Sequence, residues 1–185
     1  MKKIIALTLA ALMLLSAGCA AQPQDDNTQV ALEPTKVLEN IWEKFGDNKF
    51  ATYGGSIETA LMDQPGALNM SGTDELTGVY LIPGDYLSIM DQGASLVHMM
   101  NSNIFTCAAV HVTDATKINE IYLAWLTNVQ NNRSMCGQPD RVIIAQAGGC
   151  LVMAFGGTDA MSLFSDALTG AFSDANVLCN ESVIG

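Results

Sequence analysis

The stretch RVIIAQAGGCLVMAF, residues 141–155, limits the folding of this chain more than any other. Two apolar runs flank Gly148-Gly149. A two-residue turn between right-twisted strands needs positive φ at both central positions, and paired glycines adopt it without steric cost. The reading is a β-hairpin with strands 141–147 and 150–155. A third strand is expected at 104–112, IFTCAAVHV, apolar on both faces and so central in a sheet. VYLI, 79–82, reads as a fourth. The stretch from Asp85 to Asn103 reads as an edge strand followed by a helical turn.

Three helices are written in the apolar spacing. PTKVLENIWEKF, 34–45, places Pro34 at a first helical position and Val37, Leu38, Ile41, Trp42 and Phe45 on one face. DATKINEIYLAWLTNVQ repeats Ile118, Ile121, Tyr122, Trp125 and Val129 at helical intervals. A third helix begins at GGTDAMSLF, with Thr158 or Asp159 as its cap and Met161, Phe164, Leu168 and Phe172 on its inner side. From residue 104 the order is β-α-β-β-α. The expected class is α+β: a mainly antiparallel sheet with helices packed on one face, in a single domain spanning 34–185.

The chain start speaks to destination. Lys2 and Lys3 precede an apolar run, Ile4 to Leu15, and small residues follow. A charged start, a short apolar core and a small-residue exit make an export signal, shorter than a membrane-spanning helix requires. LLSAGC, residues 14–19, resembles the lipobox of bacterial lipoproteins. That resemblance implies cleavage after Gly18 and acylation of the Cys19 thiol. It departs from the usual pattern at Ser16, with the leucine one place earlier, at Leu15. Residues 1–18 are then the signal peptide and 19–33 a lipid-anchored, flexible tether. The expected location is the outer face of the cytoplasmic membrane, with membrane lipid the partner of acylated Cys19. Losing Lys2 and Lys3 moves the net charge from −11 to −13. So acidic a chain is a poor partner for nucleic acid or an anionic surface.

Cys107, Cys136, Cys150 and Cys179 remain after Cys19. Outside the cytoplasm four cysteines admit disulfides in three connectivities, and no CxxC spacing is present. Cys136 lies in SMCGQPD, the turn-like loop between the second helix and the hairpin. A cysteine nucleophile needs a base within reach. The histidines are His98 and His111, and His111 shares a strand face with Cys107. His98, Met99 and Met100 offer imidazole and thioether groups of the kind Cu(I) or haem iron accepts. Tyr53, in Tyr53-Gly54-Gly55, is a candidate ligand-facing ring. Phosphate loops, GxSxG elbows, HExxH helices and EF-hand loops are absent from the sequence.

The stretches IWEKF, YGGSIETALMDQPG, LVHMMNSNIFTCAAVHV and SMCGQPDRVIIAQAGG together resemble small lipoproteins of anaerobic Gram-positive bacteria, over most of residues 37–155. The resemblance implies export and a small α+β domain and brings no catalytic residues. The resulting expectation is a non-enzymatic binding or accessory module holding a protein or small-molecule partner, without a cofactor. The alternative is metal (copper or haem) or thiol-redox handling through His98, Met99, Met100 and the thiols. A hydrolase with an unfamiliar site is the third reading.

Overall fold

The computed structural model describes residues 31–132 and 138–183. Residues 1–18, read above as a signal peptide, Cys19, most of the expected tether and Cys136 lie outside the described residues. The elements, in chain order, are α1 (Pro34–Glu43), β1 (Thr52–Gly54), β2 (Leu61–Met62), β3 (Gly66–Ala67), α2 (Thr73–Gly78), β4 (Met90–His98), β5 (Phe105–Val112), α3 (Ile118–Asn131), β6 (Arg141–Ala147), β7 (Cys150–Gly156), α4 (Thr158–Ala171) and β8 (Asn176–Ser182). The strands form one sheet in the order β2-β1-β4-β5-β7-β6-β8, with β3 also paired to β4, and every pairing is antiparallel. The class is α+β.

The hairpin forms where the glycines place it. Ala147 pairs with Cys150, and Gly148 and Gly149 both have positive φ, 57° and 83°. The three helices also form at their apolar repeats. The α4 cap comes from elsewhere: Asp140 Oδ2 accepts from the Thr158 amide and hydroxyl, both at 2.9 Å. This remote carboxylate satisfies a helix-end donor that a local side chain would otherwise take.

The helices divide between the two faces of the sheet instead of sharing one. α1 and α4 cover the face carrying Leu96, Cys107, Ala109, Ile143 and Val152. α3 and the segment from Leu76 to Ile82 cover the face carrying Val97, Val110, Ile144, Leu151 and Met153. Strands β5 and β7 are buried along almost their whole length. A sheet apolar on both sides must be covered on both sides. The result is three layers.

Two local expectations are corrected, and a strand the sequence did not mark is added. Residues 79–82 are not a strand. Trp125 Nε1–H donates to the Tyr80 carbonyl at 2.9 Å, and Asn128 Nδ2–H to the Leu81 carbonyl at 3.0 Å. These carbonyls thus bond to α3 side chains, and Leu81 adopts φ 55°. The stretch from Asp85 gives a 3-10 turn, Gly84–Ile89, and then β4, which is interior. β8 carries little apolar patterning, being mostly exposed at the edge beside β6. Just before α1, Leu32 N–H donates to the Gly148 carbonyl at 2.8 Å.

Candidate functional site

At the far edge of the sheet, the register gathers several residues singled out by their chemistry. Thr52 pairs with His98 and Tyr53 with Val97, while Tyr53 also pairs with Met62 on β2. Tyr53, His98, Met99 and Met100 therefore share one corner, where β1 meets the end of β4. One ring nitrogen of His98 is already engaged. Its ring lies 5.4 Å from that of Phe50, and its Nδ1 accepts the Met100 amide at 3.2 Å. Met99 continues the β1 pairing by donating its amide to the Ala51 carbonyl, and Met100 is 81% exposed. Among the described residues, no three His, Cys, Asp or Glu side chains gather at metal-binding distance.

The outermost segment of this corner was not marked by its sequence. Residues 57–64, IETALMDQ, are exposed without interruption and include Ile57, Leu61 and Met62. The available signal was weak: three large apolar residues in a stretch with neither helical nor strand period. The segment is held firmly from behind. Trp42 Nε1–H donates to the Asp63 carbonyl, and Asp63 Oδ1 accepts the Thr52 amide. Asp63 itself has φ 57°, a conformation that Asp tolerates better than most residues.

Beneath the segment lies a buried polar network. The Tyr80 hydroxyl donates to the Gly55 carbonyl at 2.8 Å and lies 3.3 Å from Glu75 Oε1. Gly55 N–H donates to Ser95 Oγ at 2.9 Å, and Ile57 N–H to Glu75 Oε1 at 2.8 Å. Burial pushes the Tyr80 hydroxyl far up, and burial followed by the charge of Glu75 raises that of Tyr53. Both phenols stay protonated at neutral pH, and that of Tyr80 donates to the Gly55 carbonyl. The network requires tight backbone approach: a Cβ on Gly66 would meet the Gly54 carbonyl oxygen at 2.5 Å. The glycines of the Tyr53-Gly54-Gly55 stretch thus serve strand packing. Next to this network opens a cavity of about 360 Å³, lined by Ile57, Glu58, Thr59, Asn69 and Glu75 among others.

The thiols separate. Cys107, Cys150 and Cys179 are free and buried. Cys107 and Cys150 lie in the core layer under α1 and α4, Cys179 in the opposite one. Register keeps the first two apart, since Cys107 pairs with Ala154 and Cys150 with Ala147. None of these three thiols is paired in this structure, and Cys136 lies outside the described residues. Burial pushes Cys107 far up, Cys150 up to about 12 and Cys179 up to about 11. His111 shares the strand face of Cys107, but its closest polar partner is elsewhere. Its Nδ1 lies 2.6 Å from Asp91 Oδ1, at the other end of β4 from His98. Compared with known proteins, the chain matches no family model, no curated protein and no solved structure.

Proposed function

We propose that this protein is a lipid-anchored extracytoplasmic binding module of the kind its resemblance to small bacterial lipoproteins implies, and that it holds an extended segment of a partner protein along the β1–β2 edge. The observation that carries this reading is the uninterrupted exposure of residues 57–64, with Ile57, Leu61 and Met62 at its surface and Met100 beside it. An edge strand offers unpaired backbone groups to an incoming strand, and alternate side chains supply specificity. Methionine adapts its shape to varied aliphatic neighbours. Exposed Glu58 and Asp63 flank the apolar residues, so a partner segment with neutral or basic flanks is favoured over an anionic membrane surface. Metal handling ranks lower because His98 already packs on Phe50 and accepts the Met100 amide.

Two outcomes test the parts separately. Cys19→Ala should move the protein from the membrane fraction to the soluble exported fraction and abolish acyl labelling; retention with unchanged labelling refutes the anchor. A photo-crosslinking residue at Leu61, introduced in the native host, should give a discrete adduct that Met62→Asp removes. The same probe at Leu123, exposed on the outer side of α3, should give none. Equal adducts at both positions, or none at Leu61, would refute the edge as the binding surface.

A further inference from the structure

At the other end of β4, polar and nucleophilic side chains fall into line on the face covered by α1. The register pairs Gln92 with His111 and Val110 with Leu151. Continuing the β5–β7 register one step past its last pair sets His111 opposite Cys150. Cys107 and Ala109 on β5, and Val152 and Ala154 on β7, belong to the same core layer as Cys150, so His111 and Cys150 project to one side. Opposed residues on one face of an antiparallel pair have Cβ atoms about 4.5–5.5 Å apart. Gln92, His111 and Cys150 thus form a row across β4, β5 and β7. Asp91 sits in the register irregularity between Met90 and Gln92, and its carboxylate occupies His111 Nδ1 at 2.6 Å. That contact leaves Nε2 as the free ring nitrogen.

Two adjoining cavities meet this row, of about 270 Å³ and 150 Å³, and both are bordered by Glu33 and Gln92. Asp91, Leu68 and Met70 border the larger and His111 the smaller. The thiol is shut off from them. Cys150 is 1% exposed, and its Sγ–H is donated to the Leu32 carbonyl at 3.4 Å. Leu32 N–H in turn donates to the Gly148 carbonyl, so the residues leading into α1 strap down over the hairpin tip.

We propose that Cys150, His111 and Asp91 form a latent cysteine acyl-transfer site, closed by the Leu32 strap, for neutral or cationic esters and thioesters with a small apolar acyl group. The proposal is independent of the edge-binding reading, since it uses neither β1 nor β2. With the strap lifted, His111 Nε2 takes the Cys150 proton as the sulfur lone pair bonds to the acyl carbon. The bond from that carbon to the leaving oxygen or sulfur then breaks, and the leaving atom takes the proton from His111. Water, deprotonated by His111, releases the acyl group as a carboxylic acid and returns the thiol. Asp91 is a positioning residue that fixes the His111 ring. Gln92, in the same row, is placed to donate its amide to the acyl oxygen. Leu68 and Met70 suit an apolar acyl group, while Glu33 and Asp91 disfavour anionic carriers. Burial and the charge of Asp91 hold the closed thiol protonated, its pKa pushed up to about 12, in keeping with a latent state.

The test uses p-nitrophenyl acetate on the full chain, with acetylation of Cys150 read by peptide mass spectrometry. Leu32→Pro removes the amide that bonds Gly148 and should speed Cys150 acetylation by about 10²-fold, the scale of general-base catalysis. His111→Ala in that background should abolish the gain, and added imidazole should restore part of it. Asp91→Asn should lower the rate and Asp91→Glu retain it. Buried Cys107 is the internal control. If it is acetylated too, the proline has unfolded the domain, and Leu32→Gly takes its place, which keeps the amide but loosens the strap by removing the side chain packed at Gly148 and freeing the backbone. No acceleration in the folded strap variant, or acceleration that survives His111→Ala, overturns the proposal.

Discussion

Replacing Trp125 with alanine is expected to cost about 3–5 kcal/mol, the range for truncating a buried large aromatic. For a domain of this size that lowers the melting midpoint by about 10 °C. Trp125 is fully buried, with Ile121 and Val129 on the same face of α3. It joins two parts of one core layer. Its ring belongs to the cluster that includes Ile144, Leu151 and Met153 of the sheet, and its Nε1–H donates to the Tyr80 carbonyl. Alanine would leave a cavity and also orphan a buried carbonyl, two separate penalties. The second penalty reaches further, because Tyr80 carries the hydroxyl that donates to Gly55 beneath the exposed edge. Leu123→Ala, on the exposed side of the same helix, is the control and should stay within about 0.5 kcal/mol of wild type. Urea unfolding of both variants decides the matter. A Trp125→Ala protein within 1 kcal/mol of wild type would mean that α3 does not hold this layer together.

Valine at both Gly148 and Gly149 is expected to be comparably damaging. Both backbones are left-handed, which costs an L-residue about 1–2 kcal/mol each and a β-branched one more. Space is short as well. A Cβ at Gly148 would lie 2.9 Å from Val37 Cγ2, and one at Gly149 would lie 2.6 Å from the Ala31 Cβ. Together these predict a loss of about 4 kcal/mol. Asparagine tolerates positive φ, so Gly148→Asn should be the milder single variant and Gly148→Val the harsher. Equal midpoints for the two would show that crowding against Val37, not the turn conformation, governs the site. An unchanged melting temperature in the double valine variant would remove the turn from the account altogether.

The hairpin and the three long helices are legible in the chain because their causes are local. Positive φ at two glycines and an apolar repeat every three or four residues act within a few positions. The apolar pattern of 104–112 marked a central strand, but the expected layout put the helices on one face, whereas the sheet is covered on both. The division of the helices between faces, the interior position of β4 and the pairing of β8 with β6 depend on strands far apart in sequence. So does the candidate chemistry. Tyr53 meets the His98 corner only through the β1–β4 register, and Asp91 reaches His111 only at an irregularity in the β4–β5 ladder. A shift of one residue would turn either set to the opposite face. Nothing near Val79 announces that the carbonyls of Tyr80 and Leu81 will be taken by Trp125 and Asn128, more than forty residues later. The sequence by itself determined which segments form hairpin and helix, because those choices are made by short-range sterics and periodic burial. The tertiary structure alone decided which side chains stand together, because register and layer order are settled only when distant strands compete for the same neighbours.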